Sequence, residues 1–310
     1  MGSVHQIRAA AEAVTLGQAA QAYASTLDHP ESRGTARVYG VTLRALRQRF
    51  GDGCDVAGIA PGDVAAWFAG RWGQAAPATW NRHRDALGAL SRYCAAQGWG
   101  TADLTAGTAR RRSAPDRSRA LSRADVEQLL TGDDIAIRER VLWRLLYESA
   151  ARSAEVLRLD VADLDLPNRR ARVVRKASVV DVISWQTGTA RLLPRLLKGR
   201  KSGPVFLTDR RARVQMPPAD LDPASGRARL SYRQAAGIFE QATAGMPGGP
   251  WTLHQLRHSA LTHAAEEGAS TSTLLAFSGH ASVQSLARYA RVSPEALGHW
   301  QAQRDPARRR

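Results

Sequence analysis

Between residues 152 and 289, the sequence contains six residues whose side chains can take part in phosphoryl transfer: Arg152, Lys176, His254, Arg257, His280 and Tyr289. A guanidinium group holds the non-bridging oxygens of a phosphate and neutralises the charge that develops in the transition state. An imidazole donates hydrogen bonds or moves a proton. A tyrosine oxygen can attack phosphorus and conserve the phosphodiester energy in a covalent link. Together these residue types predict phosphoryl transfer without a metal ion.

Lysine is scarce in this chain, which makes Lys176 informative. Of the 44 Lys and Arg residues, only Lys176, Lys198 and Lys201 are lysines. Arginine stays protonated at any working pH, whereas lysine can release its proton when its surroundings lower its pKa. We therefore predict that Lys176 is the general acid, which protonates the leaving oxygen, and that Lys198 and Lys201 supply loop charge.

His254 and Arg257 are three residues apart in a helix predicted to start at Thr252, so both project from one face near its N-terminus. A helix N-terminus favours anions, which makes this pair a candidate phosphate site. His254 and His258 also have the H-x-x-x-H spacing of zinc ligands. However, Gln255 stands where a zinc peptidase needs a glutamate, and the charge of Arg257 opposes a divalent cation. We expect no metal here.

The chain resembles the tyrosine recombinase, or phage integrase, family, most closely its compact Xer-like and integrase members with two domains. The resemblance is carried by residues 147–157 (YESAARSAEVL), 174–176 (VRK), 253–258 (LHQLRH), Gly279-His280 and Tyr289. The spacings agree as well: 24 residues from Arg152 to Lys176, 23 from Arg257 to His280 and nine from His280 to Tyr289. The match extends from Ser118 to about Trp300.

The resemblance implies how each residue acts. Tyr289 would attack a scissile phosphate to give a 3′-phosphotyrosyl link and a free 5′-hydroxyl. Lys176 would protonate the departing 5′ oxygen, and His254 would assist proton movement. After the lysine, family members frequently continue Gly-x-Lys-x-Arg, whereas residues 177–181 of this chain read Ala-Ser-Val-Val-Asp. This hairpin is where the sequence departs from the family.

The resemblance also implies that Arg152, Arg257 and His280 stabilise the phosphorane and that Glu155 orients Arg152. Attack by a hydroxyl of the partner strand would reseal the DNA, so neither ATP nor any other cofactor is expected. The implied partner is double-stranded DNA, bound by a homotetramer on paired sites that is a monomer or dimer when free. Two alternatives stay open: relaxation of DNA like that of a type IB topoisomerase, and a non-catalytic DNA-binding protein.

Composition supports a polyanionic partner. The 44 Lys and Arg against 28 Asp and Glu give a formal net charge of +16, far more than solubility requires. No apolar stretch approaches the roughly 18 residues of a membrane span, and the N-terminus lacks a signal peptide's apolar segment. We therefore expect a cytoplasmic protein, associated with the bacterial nucleoid, with Cys54 and Cys94 as reduced thiols.

The elements that must position these residues fall into two domains, and the predicted class is mainly α with a small β-sheet or hairpin in the second. Residues 12–106 are expected to form an all-α core-binding domain that contacts DNA. Its helices are predicted at 35–50, 61–68 and 79–97 from apolar residues at helical spacing. The third helix carries the candidate DNA contacts Asn81, Arg82 and Arg84.

Residues 107–118 are expected to be a basic linker that includes Arg110, Arg111 and Arg112. Such a segment can lie as a strap along a phosphate backbone, or it can be a solvated connection between domains. We favour the strap. The basic tail at 301–310 has two interpretations as well: docking on a neighbouring subunit, or nonspecific affinity for DNA.

Residues 119–300 are expected to form an α+β tyrosine-recombinase catalytic domain. Ser122, Ser231 and Thr252 are predicted helix N-caps, and short helices are predicted at 271–278 and 283–290. Valine-rich stretches at 172–175 and 179–185 predict a hairpin with Lys176 in its turn, and prolines predict a loop over 208–230. Tyr232 and Arg233, in the first turn of their helix, are further candidate DNA contacts.

Overall fold

The computed structural model describes residues 13–29, 32–100, 102–112, 120–132, 134–175, 179–279, 282–286, 297–298 and 301–302. The chain divides into two compact units, Met1–Arg117 and Ser118–Arg310. The described residues confirm the predicted fold class: helices predominate, and small antiparallel sheets occur in the second unit. No helix in these ranges is long and apolar enough to cross a bilayer.

The first unit is built from helices. Their bounds are α1 Leu16–Ser25, α2 Arg33–Phe50, α3 Pro61–Trp72 and α4 Pro77–Ala96. Thr15 caps α1 through a reciprocal pair of hydrogen bonds with Gln18, and α2 ends at Gly51, whose φ of 87° suits glycine. Apolar side chains from all four helices meet in one core that includes Leu16, Leu46, Phe68 and Leu90. α3 extends four residues beyond the predicted helix, because Trp72 also packs into this core.

The second unit begins with helices α5 Arg123–Thr131, α6 Ile137–Ser149 and α7 Ser153–Leu157. After the first strands come α8 Thr187–Leu197, α9 Tyr232–Thr243, α10 Leu253–Glu266, α11 Thr271–Ser278 and α12 Val283–Leu286. The predicted caps are confirmed, since Ser122 and Ser231 accept hydrogen bonds from the N–H groups of Asp125 and Gln234. α8 was not predicted from the sequence.

The predicted hairpin is confirmed. Strands β1 Leu164–Asp165, β2 Arg170–Val174 and β3 Val180–Ser184 form an antiparallel sheet in the order β1-β2-β3. In β2, Ala171 and Val173 are buried and alternate with exposed residues, as a half-buried strand requires. The buried face of the sheet packs on the core of this unit. The end of β2, before residue 176, lies beside the start of β3, after residue 178.

The prediction of a loop over 208–230 is wrong in part. Strands β4 Leu207–Arg211 and β5 Arg227–Arg229 pair antiparallel, with a register shift between them. These strands escape sequence rules because β4 consists mainly of exposed polar residues and so lacks apolar alternation. The side chain of Arg229, in β5, binds Asp220, Asp160 and the carbonyl oxygen of Arg158, just after α7.

Two apolar clusters hold the second unit together. The larger one surrounds Trp143, Phe206, Phe239 and Trp251 and includes the inner face of β2. The smaller one joins the end of α6 to α10, α11 and α12 through the buried side chains Ala150, Ala260, Leu261, Ala265, Leu274 and Leu286. Arg257 binds the backbone of Ala150, a member of this smaller cluster.

Candidate active site

Arg152 lies where α6 ends and α7 begins, and a buried glutamate fixes it there. Its backbone N–H donates to Oε2 of Glu155 over 2.9 Å, and its Nη1 donates to Oε1 over 2.7 Å. Glu155 is 7% exposed, whereas the side chain of Arg152 is 43% exposed. One carboxylate therefore sets both the main chain and the side chain of Arg152 and leaves part of the guanidinium open to a ligand.

Arg257, on the inner face of α10, is 2% exposed. Its Nη1 donates to the carbonyl oxygen of Ala150, and its Nη2 donates to that of Ser278 over 2.8 Å. Ala150 precedes Arg152 by two residues and adopts a left-handed conformation that turns the chain between α6 and α7. Ser278 ends α11, two residues before His280. Arg257 thus connects α10 to two chain segments, and these segments lead into the predicted site residues Arg152 and His280.

Arg175 also contacts the end of α11. Its Nη1 donates to the carbonyl oxygen of Ser278 over 2.8 Å, so this oxygen accepts from two guanidinium groups. Arg175 is the last described residue before Lys176. No local pattern in the sequence points to a role for Arg175, because its partner lies 103 residues away.

His254 is exposed in the first turn of α10, whereas His258, one turn further, is buried beside Thr262. Thr252 and Gln255 form the predicted capping box: the backbone N–H of Thr252 donates to Oε1 of Gln255 over 2.8 Å. His254 therefore stands at a capped helix N-terminus, where the helix dipole favours an anion. Across the described ranges, no group of three or more metal-binding side chains was found.

The remaining predicted catalytic residues, Lys176, His280 and Tyr289, lie outside the described residues. Their described neighbours are Arg175 and Val179 for the hairpin, Gly279 for the turn after α11, and Leu286 for α12. Leu286 is 2% exposed and packs in the smaller cluster with Ala150. This burial packs Leu286 of α12 against the rest of the second unit.

Comparison with known proteins defines the family. Residues 119–296, more than half of the chain, match the phage integrase family. The chain belongs to the phage integrase family. The tyrosine recombinase XerC of Mycobacterium leprae is 32% identical over 179 residues, which cover 57% of this chain and 57% of that protein. The XerC of Bifidobacterium longum subsp. infantis is 31% identical over 221 residues, 70% of this chain and 59% of that protein. The aligned regions thus span less than two thirds of either relative.

Solved structures share the fold at low sequence identity. The integrase of transposon Tn1549, in complex with a circular intermediate DNA, superimposes with a TM-score of 0.68 at 17% identity, covering 94% of this chain and 100% of that chain. A lambda integrase tetramer bound to a Holliday junction gives a TM-score of 0.68 at 18% identity, with coverage of 91% and 80%. The fold of this phage integrase family member is therefore that of known recombinases.

Three of the candidate DNA contacts in the first unit hold the chain that follows α4. The side-chain amide of Asn81 exchanges two hydrogen bonds with the main chain of Arg111, and Nε of Arg84 donates to the carbonyl oxygen of Thr108. The guanidinium of Arg111 stacks 3.7 Å from the ring of Trp80 and donates to the carbonyl oxygens that follow α3. Contact of Asn81, Arg84 and Arg111 with DNA stays a prediction. In the structure, each of these three side chains binds groups of the protein itself.

The other candidates face solvent. Arg82 and Arg112 are exposed on the first unit, and Tyr232 and Arg233 are exposed at the start of α9. Arg110 pairs with Asp85 over 2.5 Å, with 56% of its side chain still exposed. In residues 107–112, the described start of the predicted linker, some side chains therefore bind α4 and others are available to a polyanion.

Proposed function

We propose that this chain is a tyrosine-type site-specific recombinase, or integrase, that cuts and rejoins DNA through a 3′-phosphotyrosyl intermediate. The observation that carries this proposal is the position of Arg257, which holds the carbonyl oxygens of Ala150 and Ser278. One buried guanidinium thereby brings α10 together with the segments that lead into Arg152 and His280. Membership of the phage integrase family supports the same chemistry.

Side chains alone account for every proton transferred in the reaction and for the attacking group. The Tyr289 oxygen attacks the scissile phosphorus, its bond to phosphorus forms, and the bond from phosphorus to the 5′ oxygen breaks. His254 assists removal of the tyrosine proton, and Lys176 gives a proton to the departing 5′ oxygen. Arg152, Arg257 and His280 stabilise the negative charge of the phosphorane. Attack by the 5′-hydroxyl of another strand reverses these steps and releases the tyrosine.

The two units take different parts in this proposal. Residues 12–106 bind DNA as the core-binding domain, 107–118 form a basic linker, 119–300 carry the chemistry and 301–310 form a basic tail. Arg82, Arg112, Tyr232 and Arg233 are the better-placed DNA contacts, because their side chains are exposed. Asn81, Arg84 and Arg111 support the chain beside them, and Arg110 pairs with Asp85 while part of its side chain stays exposed. The substrate is double-stranded DNA on which four copies assemble at paired sites in the cytoplasm, at the nucleoid.

A covalent adduct with DNA tests the proposal. The probe is a pool of nicked suicide duplexes with randomised sequence, in which strand cleavage loses a short fragment and traps the protein on the 3′ end. We expect an adduct that survives denaturing electrophoresis, and the trapped DNA can be sequenced to obtain the site. Tyr289→Phe removes the attacking oxygen and should give none. An adduct of equal yield with Tyr289→Phe would overturn the catalytic assignment.

The recovered site then separates the alternatives. A recombinase requires two sites, so exchange of strands should occur with a two-site substrate and be absent with one site. Relaxation of a supercoiled plasmid that carries a single site, without exchange on two, would instead show activity like that of a type IB topoisomerase. Duplexes of the pool that bind the chain without forming any adduct would instead show a DNA-binding protein.

A further inference from the structure

The end of the β2–β3 hairpin is fixed by Arg175. Its backbone N–H donates to the carbonyl oxygen of Val179 over 2.8 Å, which joins the last described residue before position 176 to the first one after position 178. Strand alternation turns its side chain inward, since the preceding Val174 is 53% exposed, whereas the side chain of Arg175 is 7% exposed. A long cationic side chain is therefore buried at the position directly before Lys176.

Three contacts accompany this burial. Nη1 of Arg175 donates to the carbonyl oxygen of Ser278 over 2.8 Å. Its Nε lies 2.7 Å from Oδ2 of Asp181, in an ion pair without the direction of a hydrogen bond. The guanidinium lies against Gly279 so closely that a Cβ atom at that glycine would fall on it. Arg175 thus bridges β3 and the turn after α11.

These contacts are specific to arginine at this place. A buried guanidinium is costly unless its donors are bound, so packing alone would favour an apolar side chain. The Ser278 oxygen also accepts from Arg257 over 2.8 Å, so a single carbonyl group joins the hairpin, the end of α11 and α10. Gly279 adopts a φ of 60°, which glycine tolerates best, and its lack of a side chain makes room for Arg175.

We infer that Arg175 is a positioning residue, which fixes the hairpin segment carrying Lys176 against the Ser278–Gly279 turn that leads into His280. This inference rests on the proposed function, because it assigns Arg175 to the geometry of proton donation to the 5′ oxygen. Arg175 is buried and acts through Lys176 rather than on the DNA.

A substrate that needs no general acid tests this role. In a suicide duplex whose scissile 5′ oxygen is replaced by sulfur, the leaving thiolate departs without a proton. With the ordinary oxygen substrate, Arg175→Ala should slow adduct formation by on the order of 100-fold, the usual contribution of a placed acid. With the sulfur substrate it should lie within about threefold of wild type. An equal loss on both substrates would overturn the inference.

Matched variants distinguish an effect of the position of the Arg175 side chain from an effect of its charge and from loss of the fold. Arg172→Ala removes an exposed arginine from the same strand and should keep the wild-type ratio between the two substrates. Arg175→Lys keeps the charge but lacks the planar fork, so it should behave like Arg175→Ala. A lysine variant with the wild-type ratio would show that charge suffices and overturn the inference. If Arg175→Ala unfolds at the assay temperature, the lysine variant carries the comparison.

Gly279→Ala gives an independent measurement. The added methyl group should displace the Arg175 side chain and reproduce the selective loss on the oxygen substrate. In the Arg175→Ala background the same change should cost much less, because the two residues contact each other. Additive losses would contradict the inference. Failure of the wild type to form any adduct would instead reject the proposed function, so the two failures are distinguishable.

Discussion

The hydroxyl group of Tyr147 lies 2.8 Å from Nδ1 of His263, and Nε2 of the same imidazole lies 3.0 Å from the carbonyl oxygen of Leu121. His263 is 5% exposed. It therefore joins α6, α10 and the chain segment that enters α5 within the second unit. Since the carbonyl oxygen can only accept, Nε2 is the donor, and a neutral imidazole then accepts from Tyr147 at Nδ1.

This arrangement predicts loss of stability in acid. Burial lowers the pKa of His263, and Arg123 lowers it further, while Glu266 and Glu267 oppose this in part. The folded protein thus binds fewer protons than the unfolded chain just below the ordinary pKa of 6.5. Stability is complete above this pH and falls as the pH drops through it, by at most about 1.4 kcal/mol per pH unit for one histidine.

The measurement is the free energy of unfolding by urea between pH 5 and pH 8. His263→Gln can still donate to the Leu121 oxygen but does not titrate, so its curve should be flatter in the acid range. His83 in the first unit, which lies 2.7 Å from Oγ1 of Thr42, has a pKa lowered mainly by burial and should add to the same slope. An unchanged slope in His263→Gln would refute the assignment.

Arg111 and Arg112 are neighbours with different predicted tasks. Arg111→Ala removes the stacking on Trp80 and the hydrogen bonds to the Gly73 and Ala75 carbonyl oxygens, so it should lower the free energy of unfolding by roughly 2 kcal/mol. Arg112→Ala removes an exposed charge and should leave stability within about 0.5 kcal/mol.

DNA binding should depend on Arg112, whose removal leaves stability nearly unchanged. Arg112→Ala is expected to weaken binding to unrelated duplexes and to reduce the slope of log affinity against log salt by about one, the effect of one lost phosphate contact. The measurement is fluorescence anisotropy at several salt concentrations. A salt slope identical to that of wild type would show that Arg112 does not contact the DNA backbone.

Local signals in the sequence were sufficient for much of this fold. Ser122, Ser231 and Thr252 stand at helix starts because their side chains and the third residue after each can satisfy free N–H groups, a relationship within four residues. The hairpin of β2 and β3 followed from valine-rich strands. The family resemblance implied that Glu155 orients Arg152, and the two residues, which are close along the chain, bind each other.

Contacts between distant segments left no such signal. Nothing near Arg175 in the sequence indicates that its partner is Ser278, and β4 lacks the apolar alternation that marks a strand. The position of Asn81 and Arg84 on a basic helix predicts that they contact DNA. Their hydrogen bonds to Arg111 and Thr108 depend on how the chain after α4 folds back, which composition and periodicity do not encode.

Arg229 should be among the most sensitive arginines for stability. Its side chain is 15% exposed and binds Asp160 and Asp220 over 2.8 and 2.7 Å, and it donates to the carbonyl oxygen of Arg158 at the end of α7. Arg229→Ala leaves these acceptors without their donor, so the free energy of unfolding should fall by roughly 2 kcal/mol. Arg213→Ala, at an exposed arginine, is the control and should change it by less than about 0.5 kcal/mol. Equal effects would contradict the role of Arg229.

Glu155→Gln tests how Arg152 is placed. The carboxylate accepts from both the backbone N–H and Nη1 of Arg152, whereas an amide offers one oxygen and turns an NH2 group toward the other donor. We expect adduct formation with the suicide duplex to slow by on the order of 10- to 100-fold.

Duplex binding distinguishes placement from loss of the fold. Because Arg152 acts on one phosphate among many contacts, the affinity of Glu155→Gln for the duplex should stay within about threefold of wild type. Glu127→Gln changes an exposed glutamate on α5 and should leave both quantities unchanged. If Glu155→Gln cleaves at the wild-type rate, the carboxylate does not position Arg152 for catalysis, and Arg152 must then owe its orientation to the turn at Ala150 and to Arg257.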